Sequence, residues 1–194
     1  MEIDQAQLLQ VISSLFAKYQ IPYMLTGAWS VIYYGRPRAS HDIDFVVELE
    51  KKDVPRVLQA LQSLSPDFSY DKEAVQEAIE KKHMFQIFHL PTVLKFDIWL
   101  LQENDSFDIS RFDRRKAMKL LGQSMVLTSA EDTILQKLRW YKDARIEKHI
   151  VDAAFVYQIQ EKKLDKKYLQ QWSKKLSLTK FLKQLKEIDL EKYL

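Results

Sequence analysis

Three aspartates carry the chemistry that is legible in this chain. Asp42 and Asp44 stand two apart in "GRPRASHDIDFVV", residues 35–47, at the mouth of a run of β-branched and aromatic residues. If that run is a strand, its side chains alternate and both carboxylates project from one face. Asp97 lies in "VLKFDIWLL", residues 93–101, an apolar setting in which a carboxylate is costly to bury unless it is paired or bound to metal. Placed on neighbouring strands, the three carboxylates would converge, repel one another and require a cation. Mg²⁺ suits such a site, because it is held by one or two carboxylates together with substrate phosphates. Two such ions can activate an attacking oxygen and stabilise a leaving pyrophosphate. The plainer reading makes Asp42 a turn residue and Asp44 a salt-bridge partner.

The elements that must position these groups follow from periodicity. Ile3, Leu8, Leu9, Ile12, Leu15 and Phe16 recur at helical spacing and predict an amphipathic helix over 3–19, stopped by Pro22. "YMLTG" (23–27) reads as a short buried strand, and "AWSVIYYG" (28–35) as a short helix closed by Gly35. Gly27 therefore ends a strand and opens a helix fifteen residues before Asp42. A glycine there lets backbone approach a phosphate, and a helix N-terminus offers free N–H groups.

A strand over 42–49 is followed by helices over 53–64 and 71–82. "MFQIFHL" (84–90) and "VLKFDIWLL" (93–101) are two strands parted by Pro91-Thr92, a hairpin signal. Alternation in the second puts Lys95, Asp97 and Trp99 on one face and Phe96 and Ile98 on the other. The basic stretch 107–118 reads as helical, and 118–127 as a short hairpin around Gly122. Ser129 three residues before Asp132 resembles a capping box, opening a helix over 130–142. Helices over 146–159, 165–175 and 178–187 follow, and all four read as amphipathic and basic. The expected organisation is a core over 1–128 and a helical region over 129–194.

Bulk properties narrow the function classes. The 194 residues, 46% hydrophobic and 29% charged, are those of an ordinary globular chain. There is no cysteine, which removes disulfides, thiolate zinc sites and a cysteine nucleophile, and suits a cytoplasmic setting. His83, His89 and His149 are too scattered to suggest zinc. Acids at Glu2 and Asp4, with no basic region before an apolar core, predict no signal peptide. No apolar run approaches the roughly 20 residues needed to cross a bilayer. Charge is uneven: residues 1–110 carry 10 Lys+Arg against 16 Asp+Glu, and residues 111–194 carry 20 against 11. A basic second half admits a polyphosphate or nucleic-acid role, or simply solvated helices.

The unit "LTGAWSVIYYGRPRASHDIDFVV", followed by "KFDIWLL", resembles the nucleotidyltransferase superfamily with the DNA polymerase β-like fold. "YGRPRASHDID", "SAEDTILQKLRWY", Asp152 and "LDKKYLQQWSKKL" extend the likeness over residues 20 to 176, toward AbiEii-type and related uncharacterised bacterial nucleotidyltransferases. The resemblance implies an α/β (α+β) fold, a mixed sheet flanked by helices with a C-terminal helical part. It implies transfer of an NMP from an NTP to an acceptor hydroxyl with two Mg²⁺ ions.

By position, Gly27 would contact the triphosphate. Asp42 and Asp44 would bind metal, with Asp97 as third carboxylate and general base. Lys137 would reach the nucleotide phosphates, and Asp152 would be a supporting acid. Ala28 departs from the family's Ser or Gly and supplies no hydroxyl; Ser30 or Thr26 is placed to compensate. Arg36 and Arg38 flank Pro37 and either grip phosphate or face solvent. Ser40 either bonds phosphate or caps the turn. Arg111, Arg114 and Arg115 either line an acceptor groove or form a solvated face, and Trp140 and Tyr141 read as core. The AbiEii likeness implies an RNA acceptor such as a tRNA end, in a toxin paired with an antitoxin protein. A small-molecule acceptor such as an aminoglycoside or lincosamide, or an inactive nucleotide- or partner-binding relative, is the alternative.

Overall fold

The computed structural model describes residues 5–193. In chain order the elements begin with α1 (Gln5–Lys18), β1 (Tyr23–Leu25), α2 (Gly27–Tyr34), β2 (Asp42–Val47), α3 (Val54–Gln62) and β3 (Phe68–Ser69). Then come α4 (Lys72–Lys81), β4 (Met84–His89), β5 (Leu94–Leu100), α5 (Ser106–Asp113), β6 (Lys116–Leu120) and β7 (Gln123–Leu127). Four α-helices follow, α6 (Ala130–Ala144), α7 (Glu147–Gln160), α8 (Lys166–Lys175) and α9 (Thr179–Gln184), and then a 3-10 turn over Leu190–Tyr193. They group into two compact units, one of Met1–Ala28 with Ala39–Leu127, the other of Trp29–Arg38 with Thr128–Leu194. Helix α2 thus starts in the first unit and continues in the second, an excursion that no linear division of the chain expresses.

The first unit is built on a seven-stranded mixed sheet of order β3-β4-β5-β2-β1-β7-β6. β2 runs parallel to β5 and β1 parallel to β7; the other neighbours are antiparallel. Alternation sorts the sheet into two faces. Ile43, Phe45 and Val47 of β2, Phe96, Ile98 and Leu100 of β5, and Phe85 and Ile87 of β4 are buried on one. Helix α1 supplies Leu8, Leu9, Ile12, Leu15 and Phe16 to the core. Phe16 meets Phe45 edge-on, with ring centroids 5.4 Å apart. The helix ends where Gln20 turns left-handed and the Ile21 amide donates to the Phe16 carbonyl at 2.9 Å, with Pro22 beyond it. Ile3, placed in this helix by its spacing, lies outside the described residues.

One expectation is corrected in the first unit, and one strand is added to it. The basic segment 107–118 is helical only to Asp113, because Lys116–Leu120 pairs with Gln123–Leu127 across a two-residue turn. Leu121 and Gly122 both have positive φ there, the geometry that matches strand twist in tight hairpins. The two-residue strand Phe68–Ser69, which carries no periodicity of its own, pairs with Phe88 and His89.

In the second unit the helices are those expected, but α7 is not amphipathic: every residue from Ile150 to Tyr157 is buried. It is the central helix of that unit, packed along α6. Gly35 follows α2 without left-handed geometry. A side chain there would crowd the Val31 carbonyl and Val156, at 3.0 and 3.2 Å.

Candidate active site

Asp42 and Asp44 occupy the face of β2 opposite its buried Ile43 and Phe45. β5 lies beside β2 in a register that sets Asp44 level with Asp97 and Asp42 level with Lys95. The three carboxylates therefore share one face of adjacent strands.

Asp97 is only 6% exposed, and both its oxygens are held. Gln86, level with it on β4, donates from Nε2 to Oδ1 at 3.0 Å. The Lys95 ammonium lies 3.0 Å from Oδ2. Ser40 donates from its hydroxyl to Asp42 Oδ1 at 2.9 Å, and Trp99 Nε1 reaches Asp44 Oδ1 at 3.4 Å. The Lys95 pKa is raised, first by its hydrogen bond to Asp97 and further by the charges of Asp97, Asp42 and Asp44, against a burial effect that lowers it.

Gly27 is required here on two grounds. Its φ is +64°, a conformation that L side chains rarely adopt, and a Cβ built on it would lie 2.0 Å from Asp44 Oδ2. The Asp44 carboxylate thus lies against the glycine that opens α2.

Among the described residues, no three acids or histidines stand as a ready-made metal cluster. The donor set nonetheless suits a hard divalent cation: carboxylate oxygens without nitrogen or sulfur ligands. The gathered negative charge already draws in one cation, Lys95.

A second polar cluster lies in the helical unit. Asp152, fully buried on α7, accepts at Oδ2 from Arg38 Nη2 at 3.0 Å and has Lys137 Nζ at 3.1 Å. Its Oδ1 has no hydrogen-bond partner, nor do the buried Gln136 Oε1 and His149 Nδ1. Lys137 also sits 5.0 Å from the centre of the Trp140 ring. Burial, and then the charge on Lys137, lowers the pKa of His149.

The structure brings Gly27, Asp42, Asp44, Asp97 and Ser40 together in the first unit, and Arg38, Lys137 and Asp152 together in the second. Ala28 and Ser30 are buried, one in each unit. Arg36 lies over the Phe155 ring, 4.2 Å from its centre. Arg111 is neither groove lining nor a solvated residue: it is buried and paired with Asp108 at 2.6 Å. Arg115 stacks on Phe112 at 3.8 Å. Trp140 and Tyr141 are half-buried rather than fully core.

Lys95, Gln86 and Trp99 carry no role in the sequence reading. Alternation had already put Lys95 and Trp99 on the face of Asp97; Gln86 needed the hairpin register.

No curated protein sequence matches this chain. Among solved structures it resembles ANT(2'')-Ia in complex with adenylyl-2''-tobramycin, with 12% identity and a TM-score of 0.62, over 89% of this chain and 97% of that one. An antigenic nucleotidyltransferase-like protein from Paracoccidioides brasiliensis superposes with a TM-score of 0.57 at 16% identity, covering 92% and 91%. The lincomycin-bound lincosamide antibiotic adenylyltransferase LnuA does so with a TM-score of 0.53 at 15% identity, covering 82% and 99%. These likenesses establish the fold, a mixed sheet flanked by helices of the nucleotidyltransferase type. The sequence model of one family matches residues 7–149, well over half of the chain. By that match the chain is an enzyme of the nucleotidyltransferase class and belongs to the aminoglycoside-2''-adenylyltransferase family.

Proposed function

We propose that this protein transfers an NMP from an NTP to a hydroxyl of a small, cationic, antibiotic-like acceptor. The observation that carries the reading is the register of β2 on β5, which sets Asp44 level with Asp97 and puts Asp42 on the same face. Asp42, Asp44 and Asp97 would hold divalent metal, most simply two Mg²⁺ ions. Bound there, such ions neutralise charge on the phosphates and favour the alkoxide of the acceptor.

The chain's own residues bind and orient. Gly27 lets the backbone come close to the triphosphate, Ser40 holds Asp42, and Gln86 holds Asp97. The nucleotide roles of Arg38, Lys137 and Ser30 rest on the resemblance alone; Arg38 and Lys137 gather on Asp152 within the second unit. The acceptor oxygen attacks the α-phosphorus while its proton passes to Asp97 Oδ2. The bond from that phosphorus to the bridging oxygen breaks, and pyrophosphate leaves with the electron pair. In-line positioning and electrostatic stabilisation supply the rate.

The small-molecule acceptor is favoured by the family match. Of the acids over 97–108, only Asp97 belongs to this face by register: Glu103 pairs with Lys82, Asp105 caps α5 and Asp108 pairs with Arg111. An RNA acceptor with an antitoxin partner, as in AbiEii-type enzymes, is the second reading. The matched family and two of the three structures above are named for antibiotic adenylyltransfer instead. One feature favours it: a groove of about 520 Å³ in the helical unit, rimmed by Lys166, Lys174, Lys183 and Lys186. Residues 1–128 are read as the transferase core and 129–194 as its helical region, in a cytoplasmic enzyme. Among the described residues no helix is long and apolar enough to cross a membrane.

The test incubates purified protein and Mg²⁺ with each α-labelled NTP in turn, and with tobramycin, lincomycin or total RNA as acceptor. Label on an antibiotic, lost in Asp44→Asn, is the expected result. Label on RNA alone, lost when the groove lysines are replaced by glutamate, would favour the second reading. Absence of both transfer and nucleotide binding would identify an inactive relative, with Ala28→Ser the first reversion to make.

A further inference from the structure

The ammonium of Lys95 stands where a cation belongs. It lies 3.0 Å from Asp97 Oδ2, on a residue level with Asp42, on the face that also carries Asp44. Three carboxylates on adjacent strands repel one another unless a positive charge offsets them. The structure meets this need at Asp97 with its own side chain.

The Lys95 side chain is 33% exposed, so its flexible stem has a route to water. Gln86 is neutral and holds the other oxygen of Asp97, which keeps that carboxylate oriented when the lysine departs.

We propose that Lys95 is a built-in counter-ion that occupies the carboxylate cluster while it is metal-free and swings out when a divalent cation enters. The inference rests on the metal-site reading above. It adds a consequence for the reaction: departure of Lys95 exposes Asp97 Oδ2, the oxygen assigned to take the acceptor's proton. Metal entry and arming of the base then become one event. A divalent ion and the ammonium compete for the charge of the same carboxylate cluster, so wild-type affinity is lowered by the work of displacing the lysine.

The test measures binding of Mn²⁺ alone by titration calorimetry and by the electron paramagnetic resonance of the free ion. Wild type, Lys95→Met, Lys95→Gln and Asp44→Asn are compared. Both Lys95 variants are expected to bind Mn²⁺ about tenfold more tightly than wild type, or roughly 1.4 kcal/mol. Asp44→Asn should bind more weakly. In chelator the Lys95 variants should melt lower than wild type, and Mn²⁺ should raise their melting temperature by more than it raises that of wild type. A lysine that only packs would lower the melting temperature equally with and without metal.

Equal Mn²⁺ affinity in wild type and both Lys95 variants would overturn the counter-ion and leave the metal site standing. Failure of all the proteins, Lys95 variants included, to bind millimolar Mn²⁺ would overturn both the counter-ion and the metal-site reading. Using two substitutions guards against one that merely misfolds.

Discussion

Replacing Gly27 by alanine should cost more than its backbone conformation alone explains. Both Gly27 and Gly122 have positive φ, +64° and +81°. A non-glycine residue pays about 1 kcal/mol for that region. Their surroundings differ: a Cβ at Gly122 meets nothing within 4 Å, whereas one at Gly27 meets Asp44 Oδ2 at 2.0 Å, Cγ at 2.7 Å and Cβ at 2.9 Å. Displacing a packed side chain adds about 1–3 kcal/mol. Gly122→Ala is therefore expected to lose about 1 kcal/mol and Gly27→Ala about 2–4 kcal/mol. For a chain of this size, these correspond to falls in melting temperature of about 3 °C and about 5–15 °C.

Calorimetry and urea melts of the two variants measure the difference, and Mn²⁺ binding reports whether Asp44 has moved. In an Asp44→Ala background the two nearest atoms are gone, so the excess cost of Gly27→Ala should shrink while that of Gly122→Ala does not. Equal losses at the two glycines, or an excess at Gly27 that survives Asp44→Ala undiminished, would refute the close approach.

Other predictions concern the helical unit. Asp152→Ala leaves Arg38 and Lys137 without their shared buried carboxylate and should cost about 3–5 kcal/mol in urea unfolding. Because both cations meet the same Oδ2, Arg38→Met and Lys137→Met should be non-additive by at least about 0.5 kcal/mol in a double-mutant cycle. If they serve the nucleotide, each should raise the KM for NTP. The lowered pKa of His149 means that the unfolded chain binds the extra proton first as pH falls. Its contribution to stability is present above its ordinary pKa of 6.5 and declines as pH drops below it, so melting temperatures from pH 8 to pH 5 should fall less steeply in His149→Gln.

Much of the site was legible from local periodicity. Alternation in "DIDFVV" and "KFDIWLL" put Asp42 with Asp44, and Lys95 with Asp97 and Trp99, because the direction of a strand side chain depends only on its parity. Apolar spacing likewise located the helices, and Ser129 marked the start of α6, where its hydroxyl accepts the Asp132 amide at 3.1 Å.

Pairing is different in kind, since register joins residues far apart in the chain and has no local signal. Only the folded sheet brings β5 beside β2, level at Asp44 and Asp97, and β4 beside β5, so that Gln86 reaches Asp97. The same reason explains the misread start of the hairpin at 116–118, whose strand is selected by its partner across Leu121-Gly122 rather than by its own basic composition.

Gly27 shows the division most sharply. Its position between strand and helix was evident from the sequence, and the need for close backbone approach followed. The group that approaches it in the fold is the Asp44 carboxylate, brought there by strand pairing. In the helical unit, Arg38, Lys137 and Asp152 are scattered along the chain, and no spacing rule connects them. Burial of one carboxylate on the central helix, where an unpaired charge is untenable, makes them a cluster.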